Sequence, residues 1–479
     1  MSQPFLHGVE TIELIEGTRT VQEVRSAVIG LVGIAPNEYG QNTPKLITND
    51  TLAANYGPSL PGFDIPSALE HIFAQGAGTV IVVNVFDDVT HTTAVVEESH
   101  AVSGGKIKLS FTPIGAVTLK KADGTASDYV AGTDYTLDVY GNLKVIPGKI
   151  PEATTIKFDY KKLNAAAVTT GHIVGTVDGS GNRTGIKALD NCYVLFGFRP
   201  KILITPGRSS TKAIATELEA AAERLKAVPV IDGVYGADVA TTIANRGDAT
   251  KAFGTSNKRM ILAFPYLKAY DASKDDGNPE TDTNTDYPYS PFLAGAMAAR
   301  DNQFGYWWSP SNMQLKGVTG VERPISANLS DSNTDTNLLN AAGIVTVFNS
   351  FATGFRSWGN RNAAYPTSTA ADQFINLLRT FDVVHESLEQ SAIQFSDRPG
   401  TPALVADIRE SGNAFVRRLI GRGALTEGSK VVFDSQDNTV EGMAAGNYVF
   451  RIIKMGPTPA ERITYKSIID ISLLKSVLK

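Results

Sequence analysis

A single cysteine, Cys192, stands in the 479 residues of this chain. One thiol excludes an intrachain disulfide and any zinc site built from several cysteines. The lack of disulfides suits assembly in a reducing cytoplasm. Cys192 opens the apolar run Cys192-Tyr193-Val194-Leu195-Phe196, where a small buried side chain is a better reading than a nucleophile. Charge is scarce as well: Asp, Glu, Lys and Arg make up 19 %, below the roughly 25 % of an average soluble domain. A chain that hides much of its surface in permanent contacts needs fewer charges. The formal net charge of −5, from 44 basic and 49 acidic residues, leaves no basic footprint for wholesale nucleic-acid binding. No stretch approaches the ~18 uninterrupted apolar residues of a membrane span, so no membrane insertion is expected. Met1-Ser2-Gln3-Pro4-Phe5 has no basic region leading into an apolar core, so no signal peptide is expected. Internal repeats are missing too, which argues against an adhesin built of surface-binding units.

Catalytic equipment is also thin. The six histidines are His7, His71, His91, His100, His172 and His385, and none falls in a nucleophile-base motif. Gly254-Thr255-Ser256 is similar to the serine segment of subtilisin-like proteases. Asn257-Lys258-Arg259 follows it, and no matching aspartate and histidine segments precede it, so it reads as a loop serine. Gly76-Ala77-Gly78 precedes a strand, the wrong order for a dinucleotide fingerprint. Gly179-Ser180-Gly181-Asn182-Arg183-Thr184-Gly185 lacks the lysine-threonine pair of a phosphate loop. Asp282, Asn284 and Asp286 alternate as calcium ligands would, but without the sharp glycine turn and distal glutamate. The stretch from Asp271 to Asp286 therefore reads as a solvated acidic loop. The chain is expected to be no enzyme and to carry no cofactor and no metal.

What the sequence does have is length and an alternation of patterns. Apolar residues reach 42 %, ample for more than one core. Ala27-Val28-Ile29-Gly30-Leu31-Val32-Gly33-Ile34 reads as a strand buried on both faces. A helix follows, with Asp64 as its expected cap, Pro66 in its first turn and an apolar stripe through Leu69, Ile72 and Phe73. Thr79 to Val85 is a second buried strand. This β-α-β pattern, which builds parallel sheets, resumes from Lys201 to Phe264. Between them, over about 90–165, the period switches to two, in Lys106 to Phe111, Tyr135 to Val139 and Thr155 to Tyr160. Turn signals at Asp123-Gly124, Gly141-Asn142 and Pro147-Gly148 separate these runs. From residue 365 a 3.6 period runs through Phe374, Leu377, Leu378, Phe381, Val384 and Leu388, then a second stripe follows the cap Thr401-Pro402. Strands are expected at Lys430 to Phe433 and Tyr448 to Lys454.

The expected organisation is an α/β core over 25–88 and 166–330, an inserted outer β domain over 89–165, and an α+β C-terminal domain over 331–460. Both ends read as extended arms, 1–24 and 461–479. They carry Val9, Ile12 and Leu14 at one end and Ile463, Tyr465 and Ile468 at the other, with no partner strand close in sequence. Arg417, Arg418 and Arg422 cluster at the end of a C-terminal helix. Compensation of the helix dipole and contact with an acidic partner account for them equally well.

Two segments hold all three tryptophans. The first is Phe304-Gly305-Tyr306-Trp307-Trp308-Ser309-Pro310-Ser311-Asn312, continuing Leu315-Lys316-Gly317-Val318-Thr319-Gly320-Val321-Glu322-Arg323-Pro324. The second is Trp358-Gly359-Asn360-Arg361. Both closely resemble the sheath proteins of contractile phage tails and R-type bacteriocins. His7-Gly8-Val9, Ser26 to Leu31, Asn182-Arg183-Thr184-Gly185 and Pro459-Ala460-Glu461 add to the resemblance. It covers the chain except about 90–165, which compact members lack. The motif residues it marks are Trp307, Ser309, Pro310, Asn312, Gly317, Gly320, Arg323, Pro324, Trp358, Gly359, Asn360 and Arg361.

The resemblance implies a subtilisin-like core without a triad and subunits stacked as hexameric rings around an inner tube. It implies arms that pair with neighbouring subunits, and contraction that drives the tube through an envelope. The implied partners are further copies of the chain, the inner tube protein, and baseplate and terminator proteins. Arg417, Arg418 and Arg422 would face the tube. The implied location is the virion, after assembly in the host cytoplasm. A non-contractile tail protein, such as a tube subunit, is the structural rival; a subtilisin-fold hydrolase is the catalytic one.

Overall fold

The computed structural model describes residues 20–275, 278–350 and 353–473. Its centre is an eight-stranded sheet. The strands are β1 (Ile29–Gly33), β2 (Lys45–Ile47), β3 (Val80–Asn84), β4 (Ile202–Ile204), β5 (Val228–Asp232), β6 (Ile261–Ala263), β7 (Ile344–Ser350) and β8 (Gly354–Trp358). They lie in the order β8-β7-β6-β5-β4-β1-β3-β2. The six inner strands are parallel, and β2 and β8 close the two sides antiparallel. Parallel strands are covered on both faces, which explains their unbroken apolar runs. Alternate residues serve alternate faces. Ile81, Val83, Leu203 and Leu262 share one buried cluster with Ile214, Leu218 and Leu225 of helix α2 (Lys212–Leu225). Val80, Val82, Ile202 and Ile261 pack under α1 (Ile65–Ala74) and α3 (Tyr289–Gln303) through Leu69, Ile72, Phe292 and Met297.

Two expectations change here. Asp64 precedes α1 but makes no side-chain cap. Its buried carboxylate accepts the Ile34 amide at 2.5 Å and Arg208 Nε at 2.6 Å. A fixed cation across the chain is a stronger partner than the helix's own amides. The sheet also runs past the boundary expected at residue 330. β7 pairs with β6 through Leu262↔Ile344 and Ala263↔Val345, and β8 returns beside it. The α/β sheet therefore continues to Trp358.

Residues 92–163 form two three-stranded antiparallel sheets. One has the order Thr92–Ala101, Thr155–Leu163, Ile114–Lys121; the other has Lys106–Lys108, Asn142–Val145, Tyr135–Leu137. They enclose a cluster of their own, with Ile107, Leu109, Leu119, Leu143, Ile156 and Phe158 at its centre.

The C-terminal part contains helices α4 (Ile375–Ala392) and α5 (Pro402–Gly421), and a ladder pairing Lys430–Val432 with Arg451–Ile453. Thr401 Oγ1 caps α5 by accepting the Leu404 amide. Val384, Phe415, Val416, Leu419 and Val431 form the local core, and Val21 from the other end of the chain is buried among them. One face of α4 is charged. Arg379 pairs with Asp301, Asp382 with Arg259, Glu386 with Lys201, and Glu389 with Lys226, all on the α/β core.

Candidate functional site

The two tryptophan segments come together beside the start of α4. Asn376, in its first turn and buried, donates from Nδ2 to the Trp307 carbonyl at 2.9 Å and accepts Asn360 Nδ2 at 2.8 Å. One asparagine thus ties the first segment to the second. The local chain is shaped to allow it. Gly305 has φ +107°, and a Cβ there would lie 2.3 Å from the Trp307 ring. Gly359 has φ +123° and donates its amide to Ser311 Oγ at 2.9 Å. Ser309 Oγ accepts the Ser311 amide. Ser357 Oγ donates to the Pro310 carbonyl at 2.6 Å, and the Asn312 amide donates to the Ser357 carbonyl. Leu315 likewise donates to Phe355. The first segment therefore covers the outer edge of β8, an edge that would otherwise offer unpaired groups. Trp358 stacks on Phe348 of β7 at 4.9 Å. Gly317 lies just before the strand Val318–Val321, which holds Gly320 and pairs with Leu267–Tyr270. Arg323, just beyond it and before Pro324, donates to the Gly236 carbonyl at 3.0 Å.

Arg361 reaches the other end of the chain. Its Nε donates to Glu461 at 3.0 Å and its Nη1 to Gln373 at 2.8 Å, while its guanidinium lies 4.0 Å from the Tyr365 ring. Glu461 belongs to Pro459-Ala460-Glu461, so two separate pieces of the resemblance meet in one ion pair. Upstream, the Met455 carbonyl accepts the Thr426 amide at 2.8 Å, and Gly456 is buried against Leu377 of α4. Beyond Glu461 the described chain makes no helix or strand until Ile471. Ile463, Tyr465 and Ile468 are 68 %, 91 % and 86 % exposed.

The N-terminal root is held by α4 and α5. Arg418 donates to the Val21 carbonyl at 2.8 Å. Arg422 pairs with Glu23 at 2.5 Å and lies 4.9 Å over the Trp307 ring. The Val24 amide donates to Ser387 Oγ at 3.1 Å, and Arg379 donates to the Ser26 carbonyl. Burial, aided by Glu23, pushes the Tyr306 hydroxyl well above its usual range. Arg418 and Arg422 thus make intramolecular contacts with Val21 and Glu23, and the Arg417 side chain is 65 % exposed. Val9, Ile12 and Leu14 lie outside the described residues. Asn376, Ser357, Ser387 and Glu23 were not singled out from the sequence. The one local signal was a polar Asn376 inside an apolar helical stripe.

Two further buried polar groups lie apart from these segments. Asp232, fully buried, accepts from the Ser290 amide and hydroxyl, from Ser209 Oγ and from the Gly207 amide. Both serines donate to it, and among the described residues no imidazole joins them. His71 lies between Tyr287 and Phe292, and burial pushes it down to about 4. Among the described residues no group of three or more His, Cys, Asp or Glu is placed to hold a metal, and no helix is long and apolar enough to cross a membrane.

The fold is that of contractile sheath subunits. It matches the helical sheath of the anti-feeding prophage in its contracted state with TM-score 0.60 and 16 % identity, covering 98 % of this chain and 100 % of that one. The contracted PVC sheath, from an extracellular contractile injection system, matches with TM-score 0.59 and 15 % identity over 98 % and 100 %. In sequence, the chain is 43 % identical to the tail sheath protein of Burkholderia phage BcepMu, over 98 % of this chain and 97 % of that protein. It is 26 % identical to the tail sheath protein of Escherichia phage P2, over 96 % and 95 %. The family model described as phage tail sheath protein central domain matches residues 181–363. A second model, for a protein of unknown function, matches 86–172. The chain belongs to the phage tail sheath protein family and is a structural component of a contractile tail.

Proposed function

We propose that the chain polymerises as stacked hexameric rings around an inner tube and contracts to drive that tube through the target envelope for genome delivery. In this reading the core is subtilisin-like without a triad, 89–165 faces outward, and the C-terminal domain faces the tube. The arms, 1–24 and 461–479, add strands to neighbouring copies; baseplate and terminator proteins meet the ends of the polymer. The chain inserts in no membrane and contacts no nucleic acid. One observation carries it. The arm roots are anchored by specific contacts, at Val21, Glu23, Gly456 and Glu461, yet past Glu461 the chain exposes Ile463, Tyr465, Ile468 and Ile469. Large apolar side chains on unpaired backbone are a liability until another chain covers them. A head-to-tail contact of this kind that does not close generates a helix. Electron microscopy of the protein co-expressed with its tube protein tests the reading. Hollow striated cylinders are expected; stable monomers with peptidase activity would overturn it.

A further inference from the structure

The end of α3 carries a patch that nothing in the described structure covers. The Phe304 and Trp308 rings lie 4.9 Å apart, tilted at 33°, and are 44 % and 43 % exposed. The Arg300 guanidinium lies 5.7 Å from one ring and 5.4 Å from the other. Its Nε is buried without a hydrogen-bond partner. Arg356 is close enough to push Arg300 down, after burial, and it spends its own donors on the Asn312 carbonyl and Thr353. Neither arginine has a carboxylate partner among the described residues. Two uncompensated guanidiniums beside an exposed tryptophan form the composition of an interface hot spot, and one that calls for an acidic, apolar occupant.

The chain carries such a segment just before its first described residue. His7 to Arg19 includes Glu10, Glu13 and Glu16 with Val9, Ile12, Leu14 and Ile15. In an extended chain, Ile12 and Leu14 fall on one face between Glu10 and Glu16. This segment enters the described structure beside Arg422 and Trp307. Val21 is buried next to α5, and Glu23 is held by Arg422, which stacks on Trp307, the neighbour of Trp308. The five chain steps from Val21 back to Glu16 reach at most about 17 Å.

We propose that residues 10–16 of the chain's own N-terminal arm occupy the patch of Arg300, Phe304, Trp308 and Arg356 in the unassembled subunit, Ile12 and Leu14 on the rings and the glutamates on the arginines. The arm is thereby parked until a neighbouring copy offers a better site, which keeps free subunits from linking early. This rests on the reading of 1–24 as an arm. It is tested on dilute, unassembled full-length protein with Cys192→Ala and a bimane fluorophore on Thr11→Cys, because tryptophan quenches bimane on contact. Quenching is expected, independent of protein concentration, lost with Trp308→Phe, and weakened by Arg300→Gln or by high salt. Arg300→Gln also leaves α3 intact, so circular dichroism separates loss of docking from loss of fold. Quenching unchanged by Trp308→Phe, or quenching that grows with protein concentration, would overturn the proposal. Cylinder formation is read separately: a quenched arm on a protein that never polymerises would sink the linking role and leave the parked contact standing.

Discussion

Gly305 shows how one missing side chain holds the first tryptophan in place. Its φ of +107° and the 2.3 Å approach of the Trp307 ring leave no room for a methyl group. Gly305→Ala should therefore cost about 1–3 kcal/mol, the range for a residue forced into sparsely populated backbone. Because Trp307 supports Arg422, which holds Glu23, the same change should speed amide exchange at Val21 and Val24. A melting temperature equal to that of the unmodified chain would refute this account. Glu98 gives a prediction in pH. Burial raises its pKa, but hydrogen bonds from His100, Tyr160 and Ser110 outweigh it and bring it from 4.5 to about 2. A carboxyl with a depressed folded pKa stabilises fully above its unfolded value. That stability is lost as pH falls from about 4.5 toward 2. Glu98→Gln should flatten the acid dependence of the 92–163 unit's melting across that window. An unchanged slope would show that other carboxyls set it. The Arg361–Glu461 pair is a different case. Half-exposed ion pairs are worth about 0–1 kcal/mol, so this one fixes where Glu461 lies more than it stabilises the fold.

At the scale of elements, α4 decides how the two halves of the chain are joined. Arg379, Asp382, Glu386 and Glu389 recur at helical spacing, and their partners Asp301, Arg259 and Lys201 are nearly as buried as they are. A buried pair contributes little net stability over apolar residues of the same shape, but breaking it leaves an unpaired charge. Lys201→Met alone should cost about 3–5 kcal/mol, and Lys201→Met with Glu386→Leu should recover most of that. Urea denaturation of the two variants checks it; a double variant no better than the single one would disprove the pairing account. The apolar stripe of α4 is legible in the sequence because its 3.6 period is local. The charged seam is not, since Lys201 and Glu386 are 185 residues apart and Arg259 and Asp382 123. The same limit explains β7. Ile344 to Phe348 is a plain buried run, yet what assigns it to the central sheet is a partner more than eighty residues upstream. Trp307 and Trp358 stand out by composition, while the asparagine that joins them becomes visible only when Asn376 is placed between Trp307 and Asn360.

For the whole molecule, the question is which parts can be removed without loss of the rest. The 92–163 unit has its own core and joins the central body at adjacent strand ends, Thr92 opposite Leu163. Replacing Val89 to Ala165 with a short Gly/Ser linker should leave polymerisation intact; a folded chain that no longer forms cylinders would count against an outward, dispensable role. The ends are the opposite case. Removing 1–20 leaves Val21 buried and Glu23 bound to Arg422. Among the described residues, removing 461–479 leaves Gly456 against Leu377 and costs the half-exposed Arg361–Glu461 ion pair. Among the described residues neither cut removes a member of the buried clusters, so each truncated chain should remain a folded monomer by circular dichroism, melting within a few degrees of the full chain. Assembly should fail all the same. If burying roughly 200 Å² more apolar surface per subunit drives contraction, the gain is about 5 kcal/mol each, and it performs work only if neighbours stay connected while their bodies move. Backbone ladders can provide that connection, because they survive changes in side-chain packing. Both truncations should therefore abolish cylinders in co-expression with the tube protein, while Cys192→Ser, a change at a side chain outside the arms, should not. Contractile cylinders of normal length from either truncated chain would show that the arms do not link the lattice.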